Sequence, residues 1–243
     1  MIDVAVAIQI RDGNTRLPGK GSKKLHGKPV YQHMIKNVLK CVDFINSHKD
    51  KKNINASVYL LVPYDEFNYW KQAMSDISKP VVVIPGDPDR NMDVLERYKT
   101  LFRIKKPDFI VRLTGDCPFI PSALINKAVN CAVNHRLDYI SNVDEKFRTM
   151  PDGFDVEVIS SECFLWLSKK ATSDSDKEHV TTYIRENVQK WMRVAVITGV
   201  FDTSDYKYSI DTKEDFDEVE RRVSEKATKD RAARNMGYGI YEF

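Results

Sequence analysis

The chain has 243 residues, 42% hydrophobic and 30% charged, which allows one substantial core in a single α/β domain over 1–243, with an excursion, rather than two independent domains. A formal net charge of +3 is too small to imply nucleic-acid binding, and no run approaches the roughly 20 apolar residues that span a bilayer. The start Met1-Ile-Asp-Val has no signal-peptide pattern, and Cys41, Cys117, Cys131 and Cys163 are widely spaced without CxxC, so a cytoplasmic protein with free thiols is expected.

In chain order, hydrophobic periodicity predicts a buried strand over Val4–Ile10, a helix over Val30–Val42, a strand over Ser57–Val62 and a helix over Tyr64–Ser75. A short strand at Val81–Ile84, an amphipathic helix at Met92–Lys105, a strand at Phe109–Leu113 and a helix at Ser122–Asn134 follow. This β-α-β-α order predicts a mostly parallel sheet covered on both faces, with ligands at the C-terminal ends of its strands. After Asn142 the pattern changes to an excursion, polar and turn-rich over Lys146–Gly153, that leads into a strand at Val156–Ser160. Helices at Ser161–Lys169 and Lys177–Asn187, a strand at Val194–Thr198 and a charged helix from Glu214 to about Lys226 complete the core. The tail 230–243 is aromatic and is expected to dock on the body or on a second subunit.

The loop after the first strand holds Gly13, Gly19 and Gly21 with Arg11, Arg16 and Lys20, a combination that suits phosphate oxygens and equally suits an ordinary βα turn set by Pro18-Gly19. It matches neither GxxxxGK[ST] nor GxGxxG. Asp116 follows Thr114-Gly115 at the end of a strand, where its carboxylate serves a magnesium ion or a helix cap. Asp211 precedes Thr212, which forms a capping pair with Asp215, and reads either as a free carboxylate or as part of helix initiation. Asp152, Asp155 and Glu157 fall in a turn that enters a strand, where Asp155 and Glu157 share one face and form either a carboxylate site or a plain turn and strand. His179 reads as catalytic or as structural.

Taken together, these blocks resemble the SpsF-like cytidylyltransferases that activate acidic sugars and, more distantly, the CMP-Kdo and CMP-sialate synthetases. The resemblance lies in Arg11-Asp-Gly-Asn-Thr-Arg-Leu-Pro-Gly-Lys20, Gly27-Lys-Pro29, Asp93-Val-Leu-Glu-Arg-Tyr98 and Arg112-Leu-Thr-Gly-Asp-Cys-Pro118. It continues through Pro151-Asp-Gly-Phe-Asp-Val-Glu-Val158, Glu178-His-Val-Thr181 and Ile210-Asp-Thr-Lys-Glu-Asp215. It implies a three-layer α/β/α nucleotidyltransferase fold, with CTP and a small acidic sugar or related acid as substrates and Mg2+ as cofactor. It also implies a homodimer in which the excursion over 143–160 is a contact.

The same resemblance assigns Arg11, Lys20, Asp116 and Asp211 to catalysis, the two aspartates holding the metal. The nucleotide falls to Ile8, Gln9, Ile10, Gly13, Asn14, Thr15, Arg16, Thr114 and Gly115 together with Arg11, Lys20 and Asp116. Asp93 and Arg97 join that set near the base, although their i, i+4 spacing also describes a surface ion pair. Asp152, Asp155, Glu157 and His179 fall on the acceptor side. Asp12 and Asn14 depart from the pattern: Asp12 brings an acidic group into a loop meant for a polyanion, so it points away, pairs with Arg16, changes the acceptor or marks a decayed site. A phosphate or phosphonate acceptor, another nucleotide, and a noncatalytic nucleotide-binding protein are the alternatives.

Overall fold

The computed structural model describes residues 1–13, 15–48 and 53–235. Strand β1 (Ile2–Gln9) runs into the glycine-rich loop, which ends in a short hairpin of β2 (Lys24–Leu25) and β3 (Lys28–Pro29). Pro29 leads directly into helix α1 (Val30–Ser47), and β4 (Ile54–Val62), α2 (Phe67–Ser75) and β5 (Val81–Pro85) follow. Helix α3 (Val94–Lys105) starts where the Asp93 carboxylate accepts the Glu96 amide at 2.8 Å, and β6 (Phe109–Thr114) and α4 (Ser122–His135) come next. The second half holds β7 (Tyr139–Ser141), β8 (Glu157–Ser160), α5 (Ser161–Lys170), α6 (Asp174–His179), α7 (Thr182–Glu186), β9 (Val194–Val196) and α8 (Lys213–Asn235).

The seven main strands form one sheet in the order β5-β4-β1-β6-β8-β7-β9. Pairing is parallel throughout except at β8, which runs antiparallel to both β6 and β7. Residues Val4 to Ile8 of β1 are all buried, as expected of a strand covered on both faces. Side chains from α1, α2 and α4 fill the core on one face. Those from α3, α5 and the α6–α7 region fill the other, which makes the three-layer α/β/α fold.

The first strands leave β1 in opposite directions: β4 and β5 lie on one side and β6 returns to the other. A crevice therefore opens beyond the C-terminal ends of β1 and β6, where Gln9 pairs in register with Thr114. Helix α8 closes this end of the molecule, because Val219 packs with Leu17, Leu25, Val30 and Ile210 in a small separate core. The capping pair at the start of α8 is formed, with Asp215 N donating to Thr212 Oγ1 at 3.2 Å and Thr212 N to Asp215 Oδ2 at 3.0 Å.

Several boundaries differ from the sequence expectation. The helix expected over Lys177–Asn187 is two short helices, because Val180 adopts φ +57° between α6 and α7. Helix α2 begins three residues after Tyr64, and α8 runs to Asn235, well past Lys226 and into the segment read as tail. The expected docking of the aromatic end 237–243 lies outside the described residues. Strand β8 begins at Glu157, so Asp155 sits in the irregular segment before it and does not share a strand face with it. All four cysteines are free thiols.

Candidate functional site

Two aspartates 95 residues apart in sequence meet at the crevice, and the backbone brings them there. Gly115 N donates to Gln9 O at 2.8 Å, which extends the β1–β6 register by one residue, and a Cβ on Gly115 would come within 2.6 Å of Ile10. Asp116 then accepts at its carbonyl from Ile210 N at 2.9 Å, fixing the extended segment before α8 beside it. Gly153, at φ +95°, presses on the same segment so closely that a Cβ would lie 2.3 Å from Ser209 N.

Lys20 lies between the two carboxylates. Its Nζ donates to Asp116 Oδ2 at 3.1 Å, to Asp211 Oδ1 at 3.1 Å and to Ile210 O at 3.0 Å, and its side chain is only 10% exposed. Burial pushes the Asp116 carboxyl up, but the Lys20 ammonium and the Thr114 hydroxyl outweigh it and hold the group below its ordinary value. Arg16 adds a 3.4 Å contact to Asp211. Two carboxylates gathered on one cation form a hard-oxygen donor pair, the kind that holds magnesium when substrate phosphates supply further ligands. Among the described residues, no group of three or more His, Cys, Asp or Glu side chains converges as a self-contained metal cage.

Two cavities open from this point. The first, about 230 Å³, collects Gln9, Ile10, Arg11, Arg16, Lys20, Arg97, Thr114, Gly115 and Asp116 of the residues expected for the nucleotide, together with His179 and Asp211. Arg11 rests on Met92 Sδ at 3.2 Å and on Glu178 at 3.8 Å. The others expected there stand elsewhere. Ile8 is a core side chain, Thr15 is exposed, Asp93 caps α3, the Gly13 amide donates to Glu66 at 2.8 Å, and Asn14 is outside the described residues. Asp12 does not pair with Arg16; it points away from the cavity, its carboxylate accepting from Gly21 N at 2.8 Å and from the Ser22 hydroxyl and closing the loop on itself.

Arg97 is not part of a surface ion pair. It is 1% exposed, donates to Asn91 O and leaves Nε without a hydrogen-bond partner among the described residues. Burial, reinforced by the Arg11 charge, lowers its guanidinium to about 10.

The second cavity, about 300 Å³, contains all four residues expected on the acceptor side, Asp152, Asp155, Glu157 and His179. Arg112, Thr114, Asp116, His179 and Asp211 line both cavities, so the aspartate pair and His179 mark their junction. Glu157 is 1% exposed and fully engaged, accepting from Arg112, Tyr139 and, at 3.0 Å, Arg185. Burial raises its carboxyl, but the two guanidinium groups dominate and hold it below 4.5. Asp152 accepts from Ser209 Oγ at 2.7 Å. Asp155 accepts from Arg148 Nη2 at 2.8 Å, yet burial, with Asp152, Glu157 and Asp116 nearby, raises it to about 7.

Sequence reading passed over three arginines of this wall: Arg112, Arg148 and Arg185. Arg112 alone carried a signal, an alternating position on a strand that ends at the site. Arg148 leaves Nη1 buried and without a partner among the described residues, whereas Arg185 is spent on Glu157, Tyr139 and Thr182.

Comparison with known proteins gives the family and the fold. A cytidylyltransferase family model matches residues 5–233. The spore coat polysaccharide biosynthesis protein SpsF of Bacillus subtilis is 28% identical over 222 residues, covering 90% of this chain and 85% of that protein. The solved structure of a cytidylyltransferase from Leptospira borgpetersenii superposes with TM-score 0.78 at 23% identity, with both chains fully covered. A CMP:2-keto-3-deoxy-manno-octonic acid synthetase complexed with CTP superposes with TM-score 0.65 at 14% identity, over 93% of this chain and 100% of that one. At those identities the two structures establish the fold; the family model, spanning nearly the whole chain, establishes that this protein belongs to the cytidylyltransferase family.

Proposed function

We propose that the chain transfers the cytidylyl group of CTP to a small acidic sugar or related acid, giving a CMP-activated product and pyrophosphate. The observation that carries this reading is the junction itself, where Asp116 and Asp211 share Lys20 between a cavity rich in loop cations and a second, polar cavity. CTP fits the first cavity, with Arg11, Arg16 and Lys20 facing its triphosphate and Arg97 in the same cavity wall. The acceptor fits the second, where Arg148 brings a positive charge for a carboxylate and Asp152, Asp155 and His179 are polar partners for the rest of the molecule.

Attack of an acceptor oxygen on the α-phosphorus builds negative charge on the phosphoryl oxygens and on the departing pyrophosphate. Fixed cations in a partly dry cleft are the most effective stabilisers of such charge. Lys20 is already held in place and desolvated, so it pays little reorganisation when substrate arrives. Arg11 exchanges a sulfur contact and a 3.8 Å ion pair for phosphate oxygens. Asp116 and Asp211 would hold the magnesium, which when bound supplies charge neutralisation and eases the approach of an anionic acceptor. A dedicated side-chain base is then unnecessary.

The homodimer belongs to the same proposal. Val200 and Phe201, 94% and 80% exposed, stand beside the excursion, which Thr203 ties in through Thr149 O at 2.9 Å, and Phe147 is exposed as well. Association of two copies would cover this apolar ridge. No helix among the described residues is long and apolar enough to cross a membrane.

The test is pyrophosphate release across CTP, UTP, ATP and GTP with a panel of 2-keto-3-deoxy sugar acids, neutral sugars and sugar phosphates. Release confined to CTP and the sugar acids is expected. Release with every nucleotide, or only with a sugar phosphate, would overturn the substrate assignment.

A further inference from the structure

The first two amides of the glycine-rich loop already have a partner, a carboxylate of the protein. Glu66, the residue just before α2, accepts from Asp12 N at 2.8 and 3.0 Å through its two oxygens, and from Gly13 N at 2.8 Å. It also accepts from Trp70 Nε1 at 2.8 Å. Adjacent amides in a glycine-rich turn are the groups such a loop would otherwise offer to phosphate. Glu66 is therefore either a plug that substrate phosphate displaces or a strut that shapes the loop.

The surroundings favour a strut. Trp70 is fully buried and packs edge-on against Tyr31 with centroids 5.4 Å apart, so its indole N–H needs an acceptor whether or not substrate is bound. Substrate phosphate that displaced Glu66 would satisfy the two loop amides but leave the buried Trp70 indole N–H without its acceptor. The far end of the loop is tied to the same helix: the Asp12 carboxylate accepts from Gly21 N and Ser22, and the Ser22 hydroxyl meets the Tyr69 hydroxyl. Helix α2 thus holds both the entry of the loop, at residues 12 and 13, and its exit, at residue 22. The loop between carries Arg16 and Lys20, and Arg11 immediately precedes it. This also accounts for Asp12, whose charge is turned inward and spent on the loop's own closure.

We propose that Glu66 is a positioning residue for the nucleotide: by satisfying the Asp12 and Gly13 amides from a helix anchored in the core, it fixes the loop in the shape that presents Arg11, Arg16 and Lys20 to the triphosphate. This inference rests on the proposal that the loop takes the triphosphate. Those two amides are consequently not phosphate ligands.

Glu66→Gln keeps the size of the side chain but turns an N–H2 group toward donors, and Glu66→Ala removes the strut. In folded variants, each is expected to raise the KM for CTP by about tenfold or more, with the acceptor KM unchanged. Tyr69→Phe, at an exposed position that folding tolerates, is expected to shift the CTP KM in the same direction by a smaller factor. Amide hydrogen exchange supplies an activity-independent readout: Asp12 and Gly13 should be protected equally with and without CTP in the wild type, and should lose protection in Glu66→Gln. Tighter CTP binding by the Glu66 variants, or protection that appears only when CTP binds, would show that Glu66 is a plug and overturn the inference. Equal rises in both KM values would show a general structural role and overturn it too. A wild-type protein that binds no CTP would instead sink the nucleotide reading beneath it.

Discussion

Asp116→Asn and Asp211→Asn are each expected to lower kcat/KM for nucleotidyl transfer by at least roughly 10²-fold while the protein remains folded. The neutral amide preserves shape but removes the charge that the proposed magnesium requires. Neither change strips the fold of an essential contact. Both side chains are about 25% exposed, and Lys20 keeps Ile210 O and the remaining carboxylate as partners. The Ile210 N to Asp116 O bond that brings the segments together belongs to the backbone and survives either substitution. Initial rates measured from subsaturating to saturating CTP at several magnesium concentrations, alongside thermal unfolding, check this. Wild-type turnover in either variant would remove that residue from the proposed metal pair.

The largest expected effect on stability lies at Glu157. Its carboxylate compensates two guanidinium groups, Arg112 and Arg185, and accepts from buried Tyr139. Removing one member of such a buried set leaves uncompensated charge, so Glu157→Ala is expected to cost about 3–5 kcal/mol. For a chain of this size that lowers Tm by roughly 6–20 °C. The pH dependence has a defined sign. The folded protein holds the Glu157 carboxyl below its ordinary 4.5, so the group contributes stability above that value and the contribution is lost as pH falls through the depressed folded value. Thermal melts between pH 3 and pH 7 should show an acid-side loss in the wild type that is flattened in the variant. An unchanged Tm at pH 7 would contradict the role assigned to this cluster.

Local chemistry made much of the framework legible. The buried run of β1, the turn residues after it and the strand leading to Asp116 each announce themselves through hydrophobic pattern and Gly-Pro punctuation. The pairing of Asp116 with Asp211 does not, since a single backbone hydrogen bond and Lys20 bring them together, and only the order of family-like blocks suggested it. Arg97 illustrates a second kind of blindness. Four residues after an aspartate on a helix it looks like half of a surface pair, yet Asp93 is occupied at the helix cap and Arg97 faces the interior. The α6–α7 break at Val180 carries no glycine or proline to signal it. Glu66 was invisible for the same reason as the aspartate pairing: its partners are amides 53 and 54 residues away, and backbone donors leave no trace in sequence.

The central claim is that the α-phosphoryl group of CTP passes to an acceptor, and labelled nucleotide tests it most directly. With magnesium and a sugar-acid acceptor, CTP labelled at the α-phosphorus should give a labelled acceptor product, while CTP labelled at the γ-phosphorus should give labelled pyrophosphate and an unlabelled product. Label from the γ-position on the acceptor, or α-label released only as free CMP, would contradict the account.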